Sequence, residues 1–112
     1  MPTFERGDIV RVPFPYTDHE TRQYRPALVV SEGGIGERER LLWVVMITSN
    51  RPWPGDVSFG DDHAEFGLPA PSVIRPTKIA TIEIRHADRI GRLDPDRIGQ
   101  IDEALRHQLG LQ

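Results

Sequence analysis

Ten glycines and ten prolines are spread along 112 residues, and they cut the chain into short pieces. Proline lacks the amide proton that helices and ladders use, and glycine favours turns. A helical bundle is therefore disfavoured, and a β-rich, loop-rich domain is expected. No internal repeat, low-complexity tract or linker interrupts the chain, so residues 1–112 read as one domain. A chain of this length buries roughly two thirds of its unfolded surface and needs no covalent staple.

The pieces have recognisable characters. Residues 8–14 form a first strand with β-branched Ile9, Val10 and Val12, and Pro13 and Pro15 end its pairing. Residues 25–31 form a second strand around the apolar run ALVV, followed by a turn at Gly33, Gly34 and Gly36. Residues 40–49, with LLWVVMITS, are the most apolar stretch and read as the central strand, buried on both faces. A short strand is expected at 56–59. The polar segment 60–71, broken by Gly67 and Pro69, reads as an exposed loop. A fifth strand covers 72–75, is interrupted at Pro76 and resumes at 78–81. Residues 82–87 read as a turn and 88–93 as a last strand. The period then changes. Asp94 is a good N-cap, Pro95 suits the first helical position, and Ile98, Ile101, Leu105 and Leu109 follow at helical spacing before Gly110. One amphipathic helix over 95–109 closes the chain, with an apolar stripe suited to packing on a small barrel.

The absence of cysteine excludes disulfides and cysteine-ligated metals. A formal net charge of −3 argues against non-specific nucleic-acid binding, although the field inside a cleft can differ from the total. Thirteen arginines stand against the single lysine, Lys78. Arginine's planar fork suits phosphate, and a GC-rich genome produces the same bias. The first residues lack the basic start and apolar run of a signal peptide, and no apolar run approaches the roughly eighteen residues of a membrane span. A soluble cytoplasmic protein with no membrane partner is expected.

Several chemistries lack their residues. GGIG at 33–36 has no lysine or following helix, and no G-x-S-x-G is present, so nucleoside triphosphate and acyl-transfer chemistry are unsupported. Asp61, Asp62, His63 and Glu65 read as a solvated acidic face rather than a metal site, and no metal or cofactor is expected. What remains begins in the loop after the first strand. Asp18, His19, Glu20, Thr21, Arg22, Gln23 and Tyr24 are too rich in polar groups for a simple hairpin turn. Arg25 opens the second strand, and Thr48 and Ser49 close the third. If those strands are antiparallel neighbours, Arg25 and Thr48 lie at one end of the sheet, where a cation and a hydroxyl can hold a phosphodiester. Taken alone, Thr48 reads as a strand-end residue bonded to local backbone and Arg25 as a surface ion pair. Tyr16, Tyr24 and Trp53 offer faces for stacking splayed bases, and each also reads as a packing residue.

Four stretches in order, GDIVRVPFP, RPALVV, the strand ending in ITS, and PSVIR followed by KIATI, resemble the MazF/PemK family of toxins from type II toxin–antitoxin systems. The resemblance runs from about residue 6 to 109. It implies a mainly β fold, a small SH3-like β-barrel with a C-terminal α-helix, assembled as a homodimer. It also implies metal-independent, sequence-specific cleavage of single-stranded RNA and a cognate antitoxin as partner. Carried onto this chain, the catalytic pair is Arg25 and Thr48, with His19 six residues before Arg25. Arg75 of SVIR falls among the RNA-binding residues, and Arg22, Lys78, Ser49, Tyr24 and Trp53 extend that set. Thr77 stands where some members carry a carboxylate, which leaves His19 as the proton carrier. Two other readings fit the same fold: a non-catalytic toxin that binds gyrase, for which the terminal helix would matter most, and an inactive SH3-like interaction module.

Overall fold

The computed structural model describes residues 3–15 and 23–112. Its centre is β3 (Leu41–Thr48), flanked by β2 (Gln23–Val29) and β5 (Val73–Glu83). Beyond them lie β1 (Asp8–Phe14) and β6 (Asp88–Arg92) on one side and the short β4 (Val57–Ser58) on the other. The six strands form one antiparallel sheet in the order β4-β5-β3-β2-β1-β6. β1 and β5 are separated by two strands in that order and still touch, because the sheet curls.

The alternation of side chains explains the curl. On β3, Leu42, Val44 and Met46 enter one core with Val10, Val12, Phe14, Ala27 and Val29. Val45 and Ile47 point the other way, into a second core with Ile9, Leu28, Ile74 and Ile101. The first core fills the concave side of the curled sheet. The second is closed by α1 (Pro95–Leu109). In α1, Ile101 is fully buried, and Ile98 and Leu105 pack around the same cluster. This is the SH3-like barrel with a terminal helix expected from the sequence.

The helix is fixed at both ends. Asp94 accepts a hydrogen bond from the Arg97 amide at 3.0 Å, and Pro95 follows in the first turn. Gly110 takes the left-handed conformation, and the Leu111 amide returns to the Arg106 carbonyl at 2.9 Å. Arg97 ties the first turn to the sheet, donating to the carbonyls of Ser58 and Phe59, each at 3.0 Å. Partial burial pushes the Asp94 carboxyl up, but the side-chain and backbone hydrogen bonds from Arg97 outweigh it and hold the carboxyl below its ordinary range. The helix bounds match the sequence reading, as do those of β1.

β2 starts at Gln23 and ends at Val29, so Gln23 and Tyr24 belong to the strand and not to the loop, and two further segments differ from the sequence reading. Residues 60–71 are not an exposed loop: Gly60–Phe66 form a 3-10 turn, and Phe66 and Leu68 are buried in the second core. Phe66 lies 5.3 Å from Phe59, centroid to centroid. Acidic residues on the outer side of this short turn mask two core residues spaced too irregularly to show a period. The segment presses directly on β6. A Cβ on Gly67 would come within 2.4 Å of the Ile90 carbonyl oxygen, and Gly67 is left-handed with φ 78°. The fifth strand is also a single element: its pairing with β3 breaks at Pro76, as the sequence reading has it, but only as a bulge. β5 runs on to Glu83, with Val45 paired to Ile79 and the next residue, Met46, paired to Arg75. Pro76, Thr77 and Lys78 bulge out between those pairs, where proline's missing amide costs no ladder bond. Among the described residues no helix is long and apolar enough to cross a membrane.

Two outcomes follow. Gly67→Ala should lose about 2 kcal/mol or more of unfolding free energy, from a left-handed non-glycine residue and a backbone clash, as read by urea titration. Asp94→Ala should cost about 1 kcal/mol at pH 7. The folded carboxyl titrates below its unfolded value of 3.8, so its contribution is complete above that value. The gap between the two proteins should therefore narrow as the pH falls through the folded pKa.

Candidate functional site

β2 and β3 are antiparallel neighbours, with Ala27 opposite Met46, Leu28 opposite Val45 and Val29 opposite Val44. Continuing that register by two residues along both strands sets Arg25 against Thr48. β1 adds a second reference, since Val12, a first-core residue, pairs with Arg25. By the two-residue period, Arg25 lies on the face of Ala27 and Val29, and Thr48 on the face of Val44 and Met46. Both therefore stand at the rim of the concave face, at one end of the sheet. Arg75, paired with Met46, shares that face on β5. Tyr24 pairs with Pro13 on the opposite face and is half exposed there.

The side chains at this rim differ in freedom. Arg25 is exposed, and its Nη2 donates to Gln23 Oε1 at 2.6 Å. Thr48 is 9% exposed, and its hydroxyl oxygen accepts the Asn50 amide at 3.1 Å. That bond leaves the hydroxyl proton available to donate elsewhere. Ser49, next in sequence, is exposed, and so is Lys78 in the bulge of β5. Thr77 is exposed within the bulge of β5. His19, Arg22 and Tyr16 lie outside the described residues.

Arg75 is built in quite differently. It is only 3% exposed. Its Nε lies 3.2 Å from both carboxylate oxygens of Asp56, and its Nη2 donates to Asp56 Oδ2 at 2.9 Å. Nη2 also donates to the Arg51 carbonyl at 3.0 Å. The guanidinium carbon sits 3.7 Å from the centroid of the Trp53 ring. Asp56 in turn accepts the Trp53 amide at 2.7 Å and donates its own amide to the Trp53 carbonyl at 3.1 Å. Trp53, Pro54, Gly55 and Asp56 thus form a tight turn, with proline second and a left-handed glycine (φ 89°) third. Trp53 remains 47% exposed, and Lys78 Nζ lies 5.5 Å from its ring centroid.

Asp56 is the residue that sequence reasoning missed. The reading of 56–59 as the start of a strand hid it, yet one signal was present. An arginine in an apolar strand needs a buried counter-charge, and the acidic residue closing a Pro-Gly turn is a natural supplier. Among the described residues, no three histidine, aspartate or glutamate side chains gather closely enough to hold a metal ion. Asp62, from the acidic segment, instead faces Arg97 at 3.6 Å.

What this rim can do chemically is bind and polarise an anion. It combines an exposed guanidinium, a hydroxyl with a donor to give, a second exposed cation and a fixed indole. Residues 5–109 match the family described as PemK-like, MazF-like toxin of type II toxin–antitoxin system, and the chain belongs to that family. The fold is similar to that in a MazE–MazF crystal structure from Deinococcus radiodurans, with TM-score 0.76 and 20% identity over 100% of both chains. It is also similar to a mycobacterial endoribonuclease in complex with its cognate antitoxin, with TM-score 0.71 and 24% identity over 100% of this chain and 98% of that one. The Mycobacterium tuberculosis toxin MazF-mt6 matches with TM-score 0.66 and 22% identity, over 92% of this chain and 97% of that one. No curated protein sequence matches the chain significantly.

The structural role of the Thr48 hydroxyl is the one bond it accepts from an exposed residue's amide. Thr48→Val should therefore fold normally and lose only about 1 kcal/mol in denaturant unfolding. A much larger loss would mean that the hydroxyl belongs to the core rather than to the site.

Proposed function

We propose that this protein is the toxin of a type II toxin–antitoxin system and acts as a metal-independent, sequence-specific endoribonuclease on single-stranded RNA. The observation that supports this reading is the antiparallel register of β2 and β3, which puts Arg25 and Thr48 on one face toward one end of the sheet, in a chain of this family.

Without a metal, the nucleophile is the RNA's own 2′-hydroxyl. It loses its proton, its oxygen attacks the adjacent phosphorus, and the bond to the 5′-oxygen breaks. The products are a 2′,3′-cyclic phosphate and a 5′-hydroxyl, and the leaving oxygen takes up a proton. Charge develops on the non-bridging oxygens as the phosphorane forms, and a fixed cation acts most strongly there. Arg25 supplies that cation, and the Thr48 hydroxyl donates to the same oxygens. A threonine hydroxyl is no base at neutral pH, so proton transfer falls to a group that titrates near it. His19 has that chemistry. Arg22 and Lys78 carry the flanking phosphates, and Ser49 adds a hydroxyl donor beside Thr48.

The same reading supplies the partners. A cognate antitoxin covers the RNA site, in keeping with the antitoxin complexes of proteins that share the fold. A second copy of the chain makes a homodimer, which suits the exposed Ile79, Leu109 and Leu111. The cytoplasm, where RNA is met, is the working compartment.

Purified protein incubated with long RNA and a chelator tests this directly. Cleavage should persist, and Arg25→Ala and Thr48→Val should each slow it by about a hundredfold or more. Intact RNA across varied sequences would sink the reading. His19→Ala should remove one limb of the pH–rate profile, and an unchanged profile would exclude His19 as the proton carrier.

A further inference from the structure

The side chain of Arg75 faces inward, so a direct contact with RNA is a poor use of it. Its charge is matched by the Asp56 carboxylate within a nearly solvent-free pair. Its Nη2 is engaged by protein oxygens, and its flat face lies against Trp53. These contacts form a closed loop. Trp53 is bonded to Asp56 through both its amide and its carbonyl, Asp56 is gripped by Arg75, and Arg75 stacks back on Trp53. Held in this way, the half-exposed indole keeps apolar surface open to solvent, where a flat partner can stack on it.

The geometry points to Asp56 and Arg75 as a strut that presents the Trp53 indole as a stacking platform for one unpaired base of the RNA. Lys78, 5.5 Å from the ring, takes a phosphate next to that base. This inference rests on the endoribonuclease reading; it decides between stacking and packing for Trp53 and gives Asp56 and Arg75 the task of holding it. Arg75 and Asp56 are positioning residues, and Trp53 is the residue that touches the nucleic acid. Stacking fits a single strand because every base has a π face, and a pre-ordered ring loses little entropy on binding.

The strut and a direct phosphate contact by Arg75 differ in sign. If Arg75 met the RNA, Asp56→Asn would release its charge, tighten binding and steepen the salt dependence. If Arg75 is a strut, the same change loosens the turn and weakens binding. The probe is a 2′-O-methyl oligonucleotide spanning a cut site that wild-type protein makes in total RNA. Wild-type tryptophan emission should be quenched by the probe, and that quench should be absent in Trp53→Phe. Trp53→Leu should weaken binding by about five-fold to about a hundred-fold. Its KM should rise while kcat at saturation stays near wild type, and Trp53→Phe should restore most of the affinity. Asp56→Asn should weaken binding similarly.

An unchanged affinity in Trp53→Leu, an absent wild-type quench, or tighter binding by Asp56→Asn would overturn the inference. Trp53 is half exposed, so its variants remain folded and decide the question even if Asp56→Asn does not fold. Wild-type protein that cuts no RNA would overturn the endoribonuclease reading itself. Cleavage with Trp53→Leu binding as well as wild type would overturn the strut alone.

Discussion

Burial of β3 on both faces from Val44 to Thr48, with Trp43 left exposed, is the constraint from which the rest of the structure follows. Leu42, Val44 and Met46 need cover on one side, and Val45 and Ile47 on the other. Each such side chain contributes about 1.5–3 kcal/mol when it is taken fully out of water. A flat sheet of this size covers neither face. The chain meets the first demand by curling the sheet on itself and the second with α1 and the turn at 60–66. Once both faces are closed, the strand ends are where polar groups of the central strands reach solvent. Arg25 and Thr48 stand at such ends, and the burial that makes the fold also places the pair.

Arginine content says less about nucleic acid than its number suggests. Arg97 is tied to Asp94 and the carbonyls beside it, and Arg89 and Arg92 share the buried Asp8 at 2.8 and 3.0 Å. Arg6 pairs with Asp102, and Arg75 with Asp56. These guanidiniums join distant segments of the chain. Removing one partner of a buried pair leaves an uncompensated charge, which costs about 3–5 kcal/mol. The exposed cations Arg25 and Lys78 lie near the rim, and a local positive field there is compatible with an overall charge of −3.

How far the sequence could be read depended on how local each signal was. α1 was legible to the residue, because Asp94, Pro95, the spaced isoleucines and leucines, and Gly110 each act within one or two turns of chain. β1 was equally clear from its β-branched run and bounding prolines. The Arg25–Thr48 juxtaposition was conditional on β2 and β3 being antiparallel neighbours, and the observed register meets that condition. The segment 60–66 was opaque: Phe66 and Leu68 enter a core made mostly of residues far away in sequence, so no local period marks them. Asp56 was opaque for a related reason. Its partner Arg75 lies 19 residues on and two elements later, and only the β4–β5 pairing brings them together. Pro76 marked the break in pairing correctly, and what it did not show is that a bulge carries the strand past it to Glu83.

The central claim is that the RNA's own 2′-hydroxyl is the nucleophile and that Arg25 and Thr48 stabilise the charge it creates. The most direct measurement is single-turnover cleavage of an oligonucleotide that is RNA throughout, compared with one carrying a single 2′-deoxy nucleotide just 5′ of the cut. The all-RNA strand should be cut to a 2′,3′-cyclic phosphate and a 5′-hydroxyl, and the substituted strand should bind equally well and stay whole. Cleavage of the substituted strand at the same bond would contradict the mechanism and point to an external water as the nucleophile.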